Sequence, residues 1–238
     1  MGSERLPGKS MRLFDGKPML WHLVSRLRQC RLLDDLIIAA PDSLENDPIE
    51  SFCMSESILC YRGREEDVLV RILESLTSRR ADIGVIVYGD NPLVDPAVVD
   101  EHIAIFQDLT TNDWVGNDLK TTFPPGMEVE VFDVGALADS NSRTCDPQIR
   151  EHGTLCIRQR PDLYALLNIE AKGIRRRPEI NLGVDTIEDV AVIGAIISHF
   201  SDRTNYSLEE IIEYVDKNPK LLLRNQNTPR RWRKYRSS

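Results

Sequence analysis

Apolar positions along this chain switch repeatedly between a helical spacing and short runs that are unbroken or alternating. From Met19 to Leu33 they recur every three or four residues, which predicts an amphipathic helix. Leu36 to Ala40 is a short apolar run closed by Pro41-Asp42, the pattern of a buried strand. Pro48 to Met54 reads as a second helix and Ser57 to Tyr61 as a short strand. Between Glu66 and Ser78, Val68, Leu69, Ile72 and Leu76 fall on one helical face. Ile83 to Tyr88 is the most strand-like stretch of the chain, and Gly89-Asp90-Asn91-Pro92 follows it at once.

The second half continues the alternation. Ala97 to Phe106 is predicted as a helix, and Trp114 to Gly116 and Val129 to Phe132 as strands. The second of these strands alternates like a half-exposed one. Leu163 to Ile169 fits strand or helix. Thr186 to Phe200 is a helix, and Ser207 to Tyr214 a shorter one opened by a Ser-x-x-Glu capping box. Strands alternating with helices predict one α/β domain whose sheet is mainly parallel and covered on both faces. In such sheets ligands sit at the carboxyl ends of the strands, so the polar residues at those ends are the candidates for chemistry.

Composition narrows the class. Of 238 residues, 41% are hydrophobic and 29% charged, the balance of a soluble protein. No apolar run approaches the ~20 residues that span a bilayer, and Met1 to Arg5 lacks a signal-peptide core, so a cytoplasmic protein is expected. Cys30, Cys53, Cys60, Cys145 and Cys156 have no CxxC spacing and are expected as small hydrophobes, not as a disulfide framework or zinc site. A net charge of −8 argues against nucleic-acid binding by the body. The end differs: Arg224, Arg230, Arg231, Arg233, Lys234 and Arg236 come without an acid, interleaved with Trp232 and Tyr235. This divides the chain into a body, residues 1–223, and a basic tail, residues 224–238. The tail suits a phosphate or membrane-surface contact, or a solvated chain end, and the solvated end is the reading adopted.

Three stretches carry chemistry. Gly2-Ser3-Glu4-Arg5-Leu6-Pro7-Gly8-Lys9 can turn backbone amides toward an anion and adds two cations four residues apart, although it is not a Walker A sequence. Asp90, just past an apolar strand, is placed either to hold a hard cation or to start a turn. Asp185, in Leu182-Gly183-Val184-Asp185-Thr186, sits at a strand-to-helix junction where a helix cap and a metal ligand are both plausible uses. Glu188 and Asp189 are expected only to complement the helix dipole. Together these stretches would set two cations and two carboxylates around a triphosphate and its metal, which is most of what nucleotidyl transfer needs.

Read in order, these residues resemble the sugar-acid cytidylyltransferases, which include the CMP-KDO and CMP-sialic-acid synthetases. The likeness is closest to the spore-coat polysaccharide type. It runs through Arg5-Leu6-Pro7-Gly8-Lys9, Phe14 to Leu20, Arg62-Gly63 with Asp67-Val68-Leu69, and Gly89 to Pro96. It continues through Phe123 to Glu130, Arg150-Glu151-His152 and Val184 to Asp189. The resemblance implies a Rossmann-like nucleotide-diphosphosugar-transferase fold, a mixed sheet between helices, and a homodimer. It implies Mg2+ as cofactor and CTP and an acidic sugar as substrates, for polysaccharide or glycan biosynthesis. By position, Gly2, Ser3, Arg5, Gly8, Lys9 and Gly89 match nucleotide-binding residues, and Arg5, Lys9 and Asp90 match residues of the catalytic machinery. Asp90 and Asp185 match the metal ligands. Asn117, Glu128, Glu130, Arg150 and His152 match the part that faces the sugar.

The implied reaction is direct displacement: a sugar hydroxyl attacks the α-phosphorus of CTP and pyrophosphate leaves. His22, His102 and His199 lie on predicted helices and read as structural. The family opens with an apolar strand ahead of Gly-Ser, whereas this chain begins at Met1-Gly2-Ser3, so a sheet without its first central strand is expected. Glu128 stands where the family has aspartate. Two other readings stay open: a nucleotidyltransferase with another base or a sugar-phosphate acceptor, and a non-catalytic nucleotide-binding protein.

Overall fold

The computed structural model describes residues 5–201 and 203–230. Gly2, Ser3 and the basic residues from Arg231 onward lie outside these. In chain order the elements are β1 (Leu13–Phe14), β2 (Lys17–Pro18), α1 (Met19–Leu27), β3 (Ile37–Pro41), α2 (Asp47–Ser55), β4 (Leu59–Gly63) and α3 (Val68–Ser78). Then come β5 (Ile83–Ile86), α4 (Pro96–Asp108), β6 (Trp114–Gly116), β7 (Glu130–Asp133), α5 (Val134–Arg143), α6 (Pro147–Arg150) and α7 (Leu155–Arg158). β8 (Leu166–Asn168), α8 (Ile187–His199), α9 (Leu208–Lys217) and α10 (Pro219–Leu222) complete the order. The α/β architecture is the expected one, and the open stretch near Leu163 resolves as strand.

The sheets are mixed. β3 and β4 pair in parallel, and the larger sheet has the order β5-β7-β6-β8. Within it β6 and β8 are parallel while β7 runs against both of its neighbours. Among the described residues β3 and β5 each have one strand partner.

The larger sheet is buried on both faces. Val115, Val129 and Val131 join the main core with α1, α4, α8 and α9. Trp114 and Phe132, one residue out of phase, enter a second core with Leu69 of α3, Leu137 of α5 and Ile157 of α7. Trp114 lies opposite Phe132 on the ladder, so each large ring packs against the other strand. Gly84 is opposite Phe132 on the far side, where an added Cβ would come within 2.5 Å of that ring. The strand is therefore not half-exposed as its alternation predicts: its polar member, Glu130, is fully buried.

Long-range polar contacts fix the helices. The predicted helix from Met19 stops at Leu27, because the Asp100 carboxylate draws the Arg31 and Leu32 amides out of helical register at 3.0 Å. Arg26, buried in α1, donates to the carbonyls of Val94, Thr204 and Tyr206 at 2.7, 2.9 and 2.9 Å. Asp95 caps α4 through Ala97 and also accepts the Leu208 amide at the start of α9. α9 opens with the predicted capping box of Ser207 and Glu210. Cys53 and Cys156 are buried as expected, Cys30 and Cys60 half-buried, and Cys145 is exposed. Among the described residues no helix is long and apolar enough to cross a membrane.

The three helical histidines have internal partners. His22 lies 2.8 Å from the Phe14 carbonyl and His199 stacks on Tyr214. His102 donates from Nδ1 to the Val98 carbonyl, and burial lowers its pKa from 6.5 to about 4. The unfolded chain takes up this proton near the ordinary histidine value and the native chain only near the lower one. Stability should therefore fall between about pH 6.5 and about pH 4, by about 1.4 kcal/mol per pH unit. Urea denaturation of the native protein and of His102→Leu at two pH values within that window measures this: the difference in stability between the two proteins should change by that slope.

Candidate active site

Two junctions supply carboxylates. The apolar strand β5 runs on into a turn closed by Asn91 N–H to the Tyr88 carbonyl, which sets Asp90 at the strand's carboxyl end. The other junction is Leu182 to Thr186, where the chain enters α8 with Thr186 as N-cap and Asp189 as the partner in a capping box. One backbone hydrogen bond joins them: Val184 N–H donates to the Asp90 carbonyl at 2.9 Å.

Gly126 holds this arrangement from behind. Its φ of +107° is in the left-handed region, and an added Cβ would lie 2.5 Å from the Leu182 carbonyl carbon. Pro125 O accepts the Leu182 amide across the same contact. Glu128 accepts from the Gly126 amide at 2.8 Å and from Asn91 Nδ2 at 3.0 Å, bracing the residue next to Asp90.

Lys9 stands where the two carboxylates meet. Its Nζ donates to Asp90 Oδ2 at 2.8 Å, to the Val184 carbonyl at 2.9 Å and to Asp185 Oδ1 at 3.1 Å. Burial alone would lower the Lys9 pKa, but Asp90 and Asp185 outweigh it and the net shift is upward. Burial and the neighbouring Asp185 raise the Asp90 carboxyl above its ordinary value, with Lys9 opposing. Arg5 adds a second cation, 3.1 Å from Asp185 Oδ2. Gly8 turns the loop between them with φ 70°. Gly89 is exposed and an added Cβ there would meet nothing within 4 Å, so the space beside Asp90 is open.

Three hard oxygens around one ammonium form a cation position. Among the described residues no group of three or more histidine, cysteine or acidic side chains gathers, so no all-protein metal cage is built. Two carboxylates and a carbonyl suit a cation that brings further oxygens with it, as Mg2+ does when it arrives on phosphates. The donor set thus fits magnesium.

The residues expected to face a sugar are placed differently. Asn117 is buried, its amide bridging the Met127 carbonyl and the Val129 amide at 2.8 and 3.0 Å. Arg150 forks onto Asp67 Oδ2 at 2.9 and 2.8 Å and also donates to the Thr144 carbonyl, clamping α6 to the N-cap of α3. Glu130 accepts from Trp114 Nε1 at 3.0 Å and from the hydroxyls of Tyr88 and Thr154, with Arg158 Nε at 3.8 Å. Burial pushes the Glu130 carboxyl up, but Arg158 and these hydrogen bonds hold it below its ordinary value. Arg158 in turn pairs with Asp118. His152 is half-buried, and burial lowers its pKa. Asn117, Glu128, Glu130 and Arg150 are thus engaged with internal partners. Tyr88, Thr154, Asp118 and Arg158 were not singled out by sequence.

A family model described as cytidylyltransferase matches residues 1–228. The chain belongs to the cytidylyltransferase family. These enzymes are nucleotidyltransferases. The chain is 34% identical over 225 residues to the spore coat polysaccharide biosynthesis protein SpsF of Bacillus subtilis, covering 92% of each chain. It is 35% identical over 101 residues to the 3-deoxy-manno-octulosonate cytidylyltransferase of Pelobacter propionicus, covering 42% of this chain and 39% of that one. Among solved structures, a cytidylyltransferase from Leptospira borgpetersenii superposes with TM-score 0.89 at 26% identity, covering 97% of this chain and 94% of the other. The Rossmann-like nucleotidyltransferase fold implied by the resemblance is therefore present.

In this cytidylyltransferase the left-handed turn at Gly126 packs directly on the Leu182–Gly183 backbone that leads to the second acidic junction. Gly126→Ala should lower stability by about 1–3 kcal/mol through backbone strain, and by more where Leu182 has to shift. Chemical denaturation of the variant tests this, and an unchanged midpoint would show that the contact yields at no cost.

Proposed function

We propose that this protein transfers the cytidylyl group of CTP to an acidic sugar with release of pyrophosphate, for polysaccharide or glycan biosynthesis. The observation that carries the reading is the Lys9 ammonium held by Asp90, Asp185 and the Val184 carbonyl, a cation position at the carboxyl end of β5 with Arg5 beside it. The family supports the nucleotide and the relative named for 3-deoxy-manno-octulosonate supports an acidic acceptor.

In the reaction a sugar hydroxyl oxygen bonds to the α-phosphorus as the bond from that phosphorus to the bridging oxygen breaks, the electron pair of that bond leaves with pyrophosphate, and the hydroxyl proton passes to solvent. Asp90 and Asp185 would hold Mg2+, which when bound neutralises phosphate charge and orients the triphosphate. Lys9 and Arg5 are long cations tethered beside the same carboxylates, so a triphosphate entering there competes for them. Drawn onto it, they offset the charge that builds on the departing pyrophosphate. Gly8 lets the connecting loop approach an anion closely. The polar side chains of Glu128 and Asn91 keep Asp90 oriented while Lys9 moves.

Pyrophosphate release should be measured with CTP, Mg2+ and a panel of acidic sugars, and with ATP, GTP and UTP in place of CTP. Release that requires CTP and one of the sugars is expected, and Asp90→Asn should reduce it by about a hundredfold or more with the fold retained. Near-normal turnover by Asp90→Asn would remove Asp90 from the metal site. Equal release with another nucleotide would move the reading to a transferase of different base specificity.

A further inference from the structure

The basic stretch that opens at Arg224 does not behave as a solvated end as far as it is described. Asn225 and Arg230 are buried. Arg230 forks onto Asp189, with Nη1 to Oδ2 and Nη2 to Oδ1 both at 2.8 Å, and its Nη2 also donates to the Asn225 carbonyl at 3.1 Å. Asn225 Nδ2 donates to the same Asp189 Oδ1 at 2.9 Å and to the Asn181 carbonyl at 3.2 Å. Asn181 closes the group by donating to Asp189 at 3.1 Å and to the Gly183 carbonyl at 2.9 Å.

Asp189 is more than a dipole complement. Its Oδ2 accepts the backbone amides of Asp185 and Thr186, each at 3.0 Å. An arginine fork on one side and two amides on the other fix the carboxylate, and the carboxylate fixes the peptide that carries Asp185. The same C-terminal segment reaches the phosphate loop: the Pro229 carbonyl accepts from Arg5 Nη1 at 3.3 Å, while Arg5 Nη2 is paired with Asp185. One short stretch of chain therefore touches both sides of the nucleotide site.

We infer that the segment from Asn225 to Arg230 is a built part of the nucleotide site, in which Arg230, acting through Asp189, is a positioning residue for Asp185. The inference rests on the reading of Asp90 and Asp185 as the metal-holding pair. Outer partners of this kind orient a ligand that they never touch. Arg230 sets the direction of Asp185, and Pro229 keeps Arg5 on the same side of the site.

The test is the affinity for CTP, without any sugar, measured in Mn2+ and again in EDTA, for the native protein, Arg230→Ala and Arg230→Lys. The ratio of the two affinities isolates the metal-dependent part. It should fall about tenfold or more in Arg230→Ala and less in Arg230→Lys, which keeps the charge but not the fork. A folded Arg230→Ala with the native ratio overturns the inference. If Arg230→Ala does not fold, an unchanged ratio in Arg230→Lys overturns it.

Amide hydrogen exchange of the nucleotide-free proteins gives a second reading. Faster exchange over residues 181–189 and 5–12, with β7 unchanged, is expected in the variant, and unchanged exchange over both segments overturns the inference. Absence of CTP binding by the native protein would sink the proposed function instead, and the exchange result would then decide the inference alone.

Discussion

The hydrogen bond from the Val184 amide to the Asp90 carbonyl is the constraint on which the site depends. It joins the end of β5 to the segment that enters α8, far apart in sequence, and so brings two carboxylates into one small volume. Like charges brought close repel, and a cation between them offsets that repulsion. Lys9 supplies that cation from a third segment. The geometry has a logic of exchange: whatever draws Lys9 away leaves an anionic, oxygen-lined position that a hard cation can fill. Under the proposed function, a triphosphate carrying such a cation would satisfy both halves of the exchange at once.

The buried polar network on the opposite face explains how such a site is kept in place. Glu130, Arg158 and Asp118 lie within the second core, with Tyr88, Trp114 and Thr154 closing around the Glu130 carboxylate. Tyr88 sits just before Gly89 and Asp90, so the network anchors the strand whose end carries the first acid. Asn117, Glu128 and Arg150 are braces of the same kind. A carboxylate or guanidinium with all its partners inside the protein is costly to move, which gives a rigid wall behind Lys9.

What the sequence discloses and what it hides follow from the range of the interactions. Asp90 and Asp185 are legible because each follows an apolar run and precedes a turn or helix, a local signal. Arg5, Gly8 and Lys9 are legible for the same reason, as a short loop with charges and a flexible residue. Glu130 misleads because a buried ion with buried partners gives the same alternation as a solvent-facing one; only its neighbours in the fold, Tyr88, Trp114, Thr154 and Arg158, distinguish them. The early end of α1 is hidden because Asp100, on another helix, captures its amides. Arg230 reads as one more basic residue in a polar tail until Asp189 is set beside it. Contacts between residues distant in sequence decide each of these cases, and periodicity carries no record of them.

The contact between Arg5 and Pro229 also bears on the order in which the molecule is assembled during synthesis. The loop around Lys9 leaves the ribosome well before Pro229, one of its anchors, which is more than two hundred residues later in the chain. The larger sheet and the second core, whose residues end at β8, can form while that stretch is still being made. The nascent protein therefore passes through a stage with a formed sheet and a loop around Lys9 that still lacks this anchor.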